Sequence, residues 1–193
     1  VGDLTNEEVL LGLKKSVKAC ACVPVFACSA TTEIGLTPLL DGMISLIPSP
    51  AEGRVWKAEG KTGEIELTSS DSGPLAVYVW KTTADPFVGK QTYFRVISGV
   101  MNSDTRIWNQ NKSIEERIGG LQIPRGKETI TATLLHAGDI GSVPKLSETS
   151  TGNTLCDKST PLTLPIPHYP DALYRVAVFP KTQADSTKIS PTL

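Results

Sequence analysis

Three of the four cysteines in this 193-residue chain lie in one short stretch, CACVPVFACSA, which begins at Cys20. Clustered thiolates bind zinc or form redox centres, and a structural zinc site needs four Cys or His ligands, with two of them close together in a turn. The remaining cysteine and the histidines lie far along the chain, at Cys156, His136 and His168. Free cysteine is also one of the most often buried residues. The sequence therefore predicts no metal site, and it predicts Cys20, Cys22 and Cys28 as small packing residues of a buried strand.

Two other motifs lack the residues that would complete them. In HAGDI, His136 and Asp139 are spaced as an acid–base pair, but no nucleophile accompanies them, and a Gly-Asp pair between strands is typical of a turn. The tetrapeptide 111–114, NKSI, carries the Asn-Lys of the guanine-recognition motif Asn-Lys-x-Asp without its Asp. The sequence contains no G-x-x-x-x-G-K-[ST] loop, which cradles phosphates and positions magnesium. We expect no catalytic residues in this chain.

Composition and charge exclude several classes of protein. The chain is 39% hydrophobic with a formal net charge of −1, which excludes a generally basic nucleic-acid-coating protein but not a local basic patch. Residues 74–130 contain eight Lys/Arg against five Asp/Glu, a net +3, whereas residues 1–73 contain six against ten. No run of about 18 apolar residues is present, and the N-terminus lacks a signal-peptide pattern. We therefore expect a cytoplasmic protein with reduced thiols and no membrane partner.

The first 50 residues have the pattern of a parallel α/β unit. Thr5 and Glu8 form a capping box, and apolar residues at helical spacing predict a helix over about 6–19. The apolar run 22–27, CVPVFA, predicts a strand buried on both faces. Thr37-Pro38 predicts the start of a second helix, with an apolar face made of Leu40, Met43, Ile44 and Ile47.

From residue 75 the pattern changes to short β-rich segments separated by turns. The predicted strands are LAVYVWKT, QTYFRVIS, TRIWN, SIEERIGGLQI, TITATLL, IGSVPKL and LTLPI. Strands at this spacing without intervening helices indicate a closed antiparallel barrel or a sandwich. Before them, residues 51–73 are predicted to be a polar connection with one short strand near EIELTS. After them, ALYRVAVFP predicts a further strand, and KTQADSTKIS predicts the start of a helix.

The segment VPVFACSATTEIGLTPLLDGMISLIPSP, which begins at Val23, resembles the end of the GTP-binding domain of elongation factor G and its paralogues. Further on, DPFVGKQTYFRVISGVMNSD, HAGDIGSV, TSTGNTLCD and VFPKTQAD resemble, in the same order, the second domain of that family and the start of its third. The family often has glycine where this chain has Cys28, tyrosine at Ile97 and glutamate at Phe179, and these departures point to a paralogue.

The resemblance implies a mainly β fold, namely a Greek-key β-barrel of the translation-factor domain II type with an α-β-α remnant of a P-loop GTPase domain. Residues 1–50 would be the C-terminal remnant of the GTP-binding domain and 51–73 the connection. Residues 74–165 would form the barrel, and 166–193 would begin the next domain.

The resemblance also implies a function, that of a fragment of a ribosomal translocase. In that family the second domain is not catalytic; it packs against the GTPase domain of its own parent chain and contacts the rRNA of the small ribosomal subunit. Ser29 and Ala30 would form the guanine-binding corner of an incomplete site. GTP or GDP and magnesium are implied for the full-length parent, which resembles a GTPase, whereas this fragment is expected to hold no cofactor and to have no enzymatic activity. The candidates for rRNA contact are the basic residues of the net-positive stretch, Lys90, Arg95, Lys112, Arg117, Arg125 and Lys127.

Two alternatives remain open from the sequence. The same barrel occurs in ribosome-protection and release-type translational GTPases. A free-standing nucleic-acid-binding barrel is the other alternative, although such barrels usually stack bases on aromatic side chains, and only 6% of the residues here are aromatic.

Overall fold

The computed structural model describes residues 2–85, 89–187 and 189. The chain divides into two compact units, Val1–Val55 and Trp56–Leu193. The first unit contains the α-helices α1 (Asn6–Lys18) and α2 (Leu36–Leu46), followed by a 3-10 turn at Pro50–Glu52.

Helix α1 begins at the predicted capping box. The Glu8 N–H donates to Thr5 Oγ1 at 3.3 Å, and the Thr5 N–H donates back to Glu8 Oε2 at 2.8 Å. Helix α2 begins earlier than predicted, because its N-cap is Gly35 rather than Thr37. Gly35 has φ 79°, and a Cβ there would lie 2.6 Å from the Ala27 carbonyl oxygen. Only glycine fits this close, left-handed turn, and Pro38 still lies in the first turn, where amides have no intrahelical acceptor.

The predicted strand at 22–27 is wrong, since the segment is extended but not paired as a strand. Val23 and Val25 are 83% and 90% exposed. A strand needs lateral partners for its backbone groups, and no other strand lies among the described residues of this unit. Only alternate residues are covered; Phe26, for example, occupies the space that a Cβ on Gly42 of α2 would need.

The cysteines of this segment are therefore not packed as predicted. Cys20 and Cys28 are exposed and Cys22 is half-buried. Cys20 also lies in the turn after α1 rather than in a strand, with φ 56°. The apolar face of α2 that was predicted from Leu40, Met43, Ile44 and Ile47 is likewise exposed.

The second unit is built from antiparallel strands. Its described strands are β1 (Trp56–Gly60), β2 (Gly63–Leu67), β3 (Ala76–Asp85), β4 (Gly89–Ser98), β5 (Met101–Asn102), β6 (Arg106–Asn109), β7 (Ile114–Arg117), β8 (Leu121–Arg125), β9 (Glu128–Ala132), β10 (Leu134–Leu135), β11 (Ile140–Pro144), β12 (Thr154–Cys156) and β13 (Leu162–Thr163). The main sheet has the order β7-β6-β12-β3-β4-β11-β8-β9. A two-stranded ladder, β10-β5, and a three-stranded sheet, β13-β1-β2, accompany it.

Two apolar clusters hold these sheets together. The barrel cluster lies inside the main sheet and consists of Val77, Val79, Phe94, Val96, Met101, Ile107, Ile118, Leu121, Leu135, Val143, Leu146 and Leu155. The outer cluster packs the three-stranded sheet against the outside of the barrel and consists of Ala58, Leu67, Ala76, Ile97, Cys156, Leu162 and Leu164. Strands β3 and β4 contribute to both clusters. This architecture confirms the predicted mainly β barrel fold.

In the second unit, three strands among the described residues were not predicted, and one predicted strand is wrong. The sequence pattern did not predict β1, β5 or β12. Strand β1 lies between β13 and β2 in the three-stranded sheet. The segment ALYRVAVFP is not a strand, and its side chains lie open, with Leu173 99% and Phe179 81% exposed. No described strand lies beside this segment to pair with it. The predicted helix start after it is present as the 3-10 turn Gln183–Asp185.

Candidate nucleic-acid interface

The basic residues singled out from the sequence differ in how accessible they are. Lys112, Arg117, Arg125 and Lys127 are exposed, whereas Lys90 and Arg95 are half-buried on β4. Lys90 Nζ donates to the Ser147 carbonyl oxygen at 2.8 Å, so this ammonium group is already engaged. Arg117 Nη2 lies 3.9 Å from Asp104 Oδ1 with both side chains open to solvent, and such a pair contributes little.

The hairpin between β8 and β9 places two cations at its tip. Arg125 pairs with Glu128 across the ladder, which leaves Gly126 and Lys127 as the turn. Gly126 has φ 63°, and a Cβ there would contact nothing within 4 Å. Glycine at the first central position of a two-residue turn fits the twist of a β-hairpin. Arg125 and Lys127 lie at the tip of this hairpin, and both are exposed. They are therefore accessible for contact with phosphate groups.

The Ser29-Ala30 corner folds back on its own loop. The Ser29 N–H donates to the Ile34 carbonyl oxygen at 2.9 Å, and Ser29 Oγ accepts a hydrogen bond from the Thr32 N–H at 3.3 Å. In this arrangement the Ser29 backbone donor is used within the loop. The assignment of Ser29 and Ala30 to guanine binding stays a prediction.

An aromatic pair lies on the outer face of the barrel. Trp80 is an extra residue in β3, because Val79 faces Phe94 and Lys81 faces Tyr93 across the ladder with β4. A bulge of this kind re-aims a side chain. The Trp80 and Tyr93 rings lie 5.7 Å apart between centroids at an angle of 42°, and Trp80 is 41% exposed.

Polar side chains continue this outer face toward β8. Gln91 Nε2 donates to Gln122 Oε1 at 2.8 Å and to Ser142 Oγ at 3.1 Å. Ser142 is paired with both Tyr93 and Gln122 across the sheet, so these side chains share one face. Gln91 is 93% buried, and its Oε1 has no hydrogen-bond partner among the described residues. The aromatic pair therefore borders a row of amides and a hydroxyl.

The histidine in HAGDI is bonded to a carboxylate that the sequence did not indicate. His136 Nδ1 lies 2.7 Å from Asp71 Oδ2, and the Ala137 N–H donates to Asp71 Oδ1 at 2.9 Å. Both hydrogen bonds lower the pKa of Asp71, and the bond from the Ala137 backbone has the larger effect. Asp139 accepts a hydrogen bond from the His136 N–H at 2.8 Å, as a turn residue does. These hydrogen bonds hold the loop of His136 and Ala137 against Asp71.

The half-buried Tyr78 and the buried Cys156 in the second unit have raised pKa values. Burial, more than the neighbouring Tyr169, raises the pKa of Tyr78 to about 12. Burial also raises the pKa of the Cys156 thiol, which lies in the outer cluster. Cys156 belongs to the outer cluster, and Tyr78 packs against it.

Within residues 2–85, 89–187 and 189, no group of three or more His, Cys, Asp or Glu side chains is placed to hold a metal ion. Over the same part of the chain, no helix is long and apolar enough to cross a membrane.

The barrel is similar to a domain of a known protein family. The family model described as elongation factor G domain 2 matches residues 74–158. Residues 74–158 are a domain 2 of the elongation factor G family. Every basic candidate for rRNA contact and the Trp80–Tyr93 pair lie within this domain 2.

A solved structure extends the likeness beyond domain 2. The crystal structure of a protein from Thermus thermophilus matches with a TM-score of 0.72 and 26% sequence identity. The match covers 97% of this chain and 26% of that chain. This chain therefore spans about a quarter of the length of that relative.

Proposed function

We propose that this chain is part of a ribosomal translocase that couples GTP hydrolysis to the movement of tRNA and mRNA. In this proposal, domain 2 is a non-catalytic module that contacts the rRNA of the small ribosomal subunit in the cytoplasm. The observation that carries the proposal is the match of residues 74–158 to elongation factor G domain 2. The order of the resembling segments on either side of the barrel supports it.

Nucleotide chemistry belongs to the parent protein in this proposal. The chain has no phosphate-cradling loop in its sequence, and GTP affinity depends on backbone N–H groups at a helix N-terminus together with magnesium. The barrel contributes a surface rather than a catalytic group.

Charge provides the physical basis for the rRNA contact. Part of the net +3 of residues 74–130 lies at the β8–β9 hairpin, where Arg125 and Lys127 are exposed. Lys and Arg contacts to phosphate oxygens position a protein on RNA without reading its sequence. Each neutralised phosphate releases counterions, so binding weakens as salt rises.

The test is co-sedimentation of the chain with purified small ribosomal subunits over a salt series. We expect log affinity to fall linearly with log salt, with a slope set by roughly two to four neutralised phosphates. The double variant Arg125→Gln, Lys127→Gln should bind more weakly at low salt and show a slope smaller by about one to two.

The matched control removes two charges from α1, in the variant Lys15→Gln, Lys18→Gln. Both lysines are exposed, and the variant has the same net charge as the hairpin variant. We expect it to bind as the unmodified chain does. Binding that ignores salt, or a larger loss in the α1 variant, would show that the hairpin is not the rRNA-facing surface.

A further inference from the structure

The outer face of the barrel is covered in one part and open in another. The outer cluster buries Ala76 and Ile97 under the three-stranded sheet. Farther along β3 and β4, Trp80 and Tyr93 are not under that sheet, and Trp80 is the most exposed tryptophan of the chain at 41%. The bulge in β3 leaves Trp80 without a ladder partner on β4 and re-aims its indole ring. A pair of neighbouring aromatic side chains that is open to solvent, unlike a single exposed apolar residue, indicates a contact surface.

The charge around the aromatic pair is positive. The ladder partners of Gln91, Tyr93 and Arg95 are Thr83, Pro144, Lys81, Ser142, Tyr78 and Ile140. Lys81 and Arg95 are therefore the only ionised groups on these rungs at neutral pH. Neither has an ion-pair partner among the described residues. Two cations without an ion-pair partner in the described structure lie beside the exposed Trp80 ring and the half-buried Tyr93 ring. This combination fits an anionic ligand with flat, apolar parts.

We propose that this face, which we call the aromatic platform (Trp80, Lys81, Gln91, Tyr93, Arg95), binds an unpaired base of single-stranded RNA. The base stacks on the Trp80–Tyr93 pair, and Lys81 and Arg95 contact the flanking phosphates. This refines the proposed function, because it adds a stacking contact to a surface otherwise held by charge alone.

Single-stranded RNA fits the platform better than a peptide does. Base–aromatic stacking joined to a basic groove is the usual way in which proteins bind unpaired nucleotides. A proline-rich peptide also docks on aromatic side chains, but it carries no negative charge that would pair with Lys81 and Arg95. Gln91, whose Oε1 has no hydrogen-bond partner in the described structure, lies two residues from Tyr93 on the same face of β4.

The test is fluorescence anisotropy with a labelled RNA octamer of mixed sequence and an octamer with the same backbone but no bases. Stacking contributes about 1–3 kcal/mol per base, so Trp80→Ala should weaken binding of the octamer about 5- to 150-fold. The abasic octamer should bind the unmodified chain about as weakly as the intact octamer binds Trp80→Ala. Trp80→Phe, which keeps a stacking surface, should retain most of the affinity.

The matched control is Tyr174→Ala, because Tyr174 is another exposed aromatic residue, at 83%, in the unpaired segment after the barrel. It should leave octamer binding unchanged, and circular dichroism should show that all variants are folded. Equal binding of the intact and abasic octamers, or binding of a proline decamer in place of RNA, would overturn the platform.

The outcomes separate this inference from the proposed function. Salt-dependent binding of ribosomal subunits without base-dependent binding of the octamer overturns the platform alone. Base-dependent binding of the octamer without subunit binding overturns the proposed function and supports the platform.

Discussion

Glu116 is a carboxylate that the barrel buries and satisfies. It lies in β7, is only 8% exposed, and accepts hydrogen bonds from the loop that follows β11. The donors are the Thr149 hydroxyl, the Glu148 N–H at 3.0 Å and the Ser147 hydroxyl at 3.4 Å. Since a buried charge is costly unless it is hydrogen-bonded, this loop and β7 depend on each other.

Replacing Glu116 with alanine should lower the free energy of unfolding by about 2–3 kcal/mol, because the change leaves buried donors without an acceptor. Urea unfolding measures the difference. The neighbouring Glu115→Ala variant is the control, since Glu115 pairs with Arg106 at 2.9 Å on the surface, and such a pair contributes at most about 1 kcal/mol. Equal losses in the two variants would show that the loop does not rely on Glu116.

Single residues were predicted unevenly from the sequence. The capping box of Thr5 and Glu8 was predicted correctly because both partners lie in one helical turn. The bond between His136 and Asp71 spans 65 positions and left no local signal. Trp80 and Tyr93 could not be paired from the sequence, because a one-residue bulge changes which side chains share a face. The rRNA-facing residues stay predictions.

The turn between β4 and β5 depends on Gly99 at the scale of the element. Gly99 has φ 76°, and a Cβ there would lie 2.8 Å from Leu75 Cα and 2.9 Å from Leu75 N. Its N–H donates to the Ser70 carbonyl oxygen at 2.9 Å. The backbone of the segment before β3 therefore passes directly over this turn.

Gly99→Ala should destabilise the protein by about 3 kcal/mol or more, because the left-handed conformation costs roughly 1–2 kcal/mol and the backbone must also move. Gly126→Ala provides the comparison. Gly126 has a similar φ, 63°, but open space around it, so we expect only about 1–2 kcal/mol. Thermal unfolding of both variants measures the difference; a Gly126 effect as large as that of Gly99 would mean that crowding at Leu75 is unimportant.

Elements were predicted well where their own side chains carry the pattern and poorly where a partner decides. Helix α1 and the strands β3 and β4 follow from periodicity. The short strand β12 depends on its neighbours, because it fills the place between β3 and β6. Strand β5 has only two residues and pairs only with the equally short β10. The converse holds for residues 22–27 and for ALYRVAVFP, whose β-type sequences have no paired neighbour among the described residues.

At the scale of the whole molecule, the sequence predicted the class of the fold and the family. The mainly β architecture and the elongation factor G domain 2 are both confirmed. The likeness to the Thermus thermophilus protein continues over 97% of this chain but only 26% of that one. Activity and partners of the whole protein therefore rest on the proposals above.

The position of β3 and β4 between two clusters has a consequence for how the second unit opens. Val77, Val79, Phe94 and Val96 enter the barrel cluster, while Ala76 and Ile97 enter the outer cluster. Separating these strands exposes both clusters to water at once, so no small opening frees their backbone amides. We expect the amides of 76–79 and 94–97 to exchange with deuterium only through global unfolding. Those of the exposed hairpin β8–β9 should exchange by local fraying, orders of magnitude faster, in a mass-spectrometric time course. Similar rates in the two regions would show that the two clusters melt separately and that β3 and β4 do not couple them.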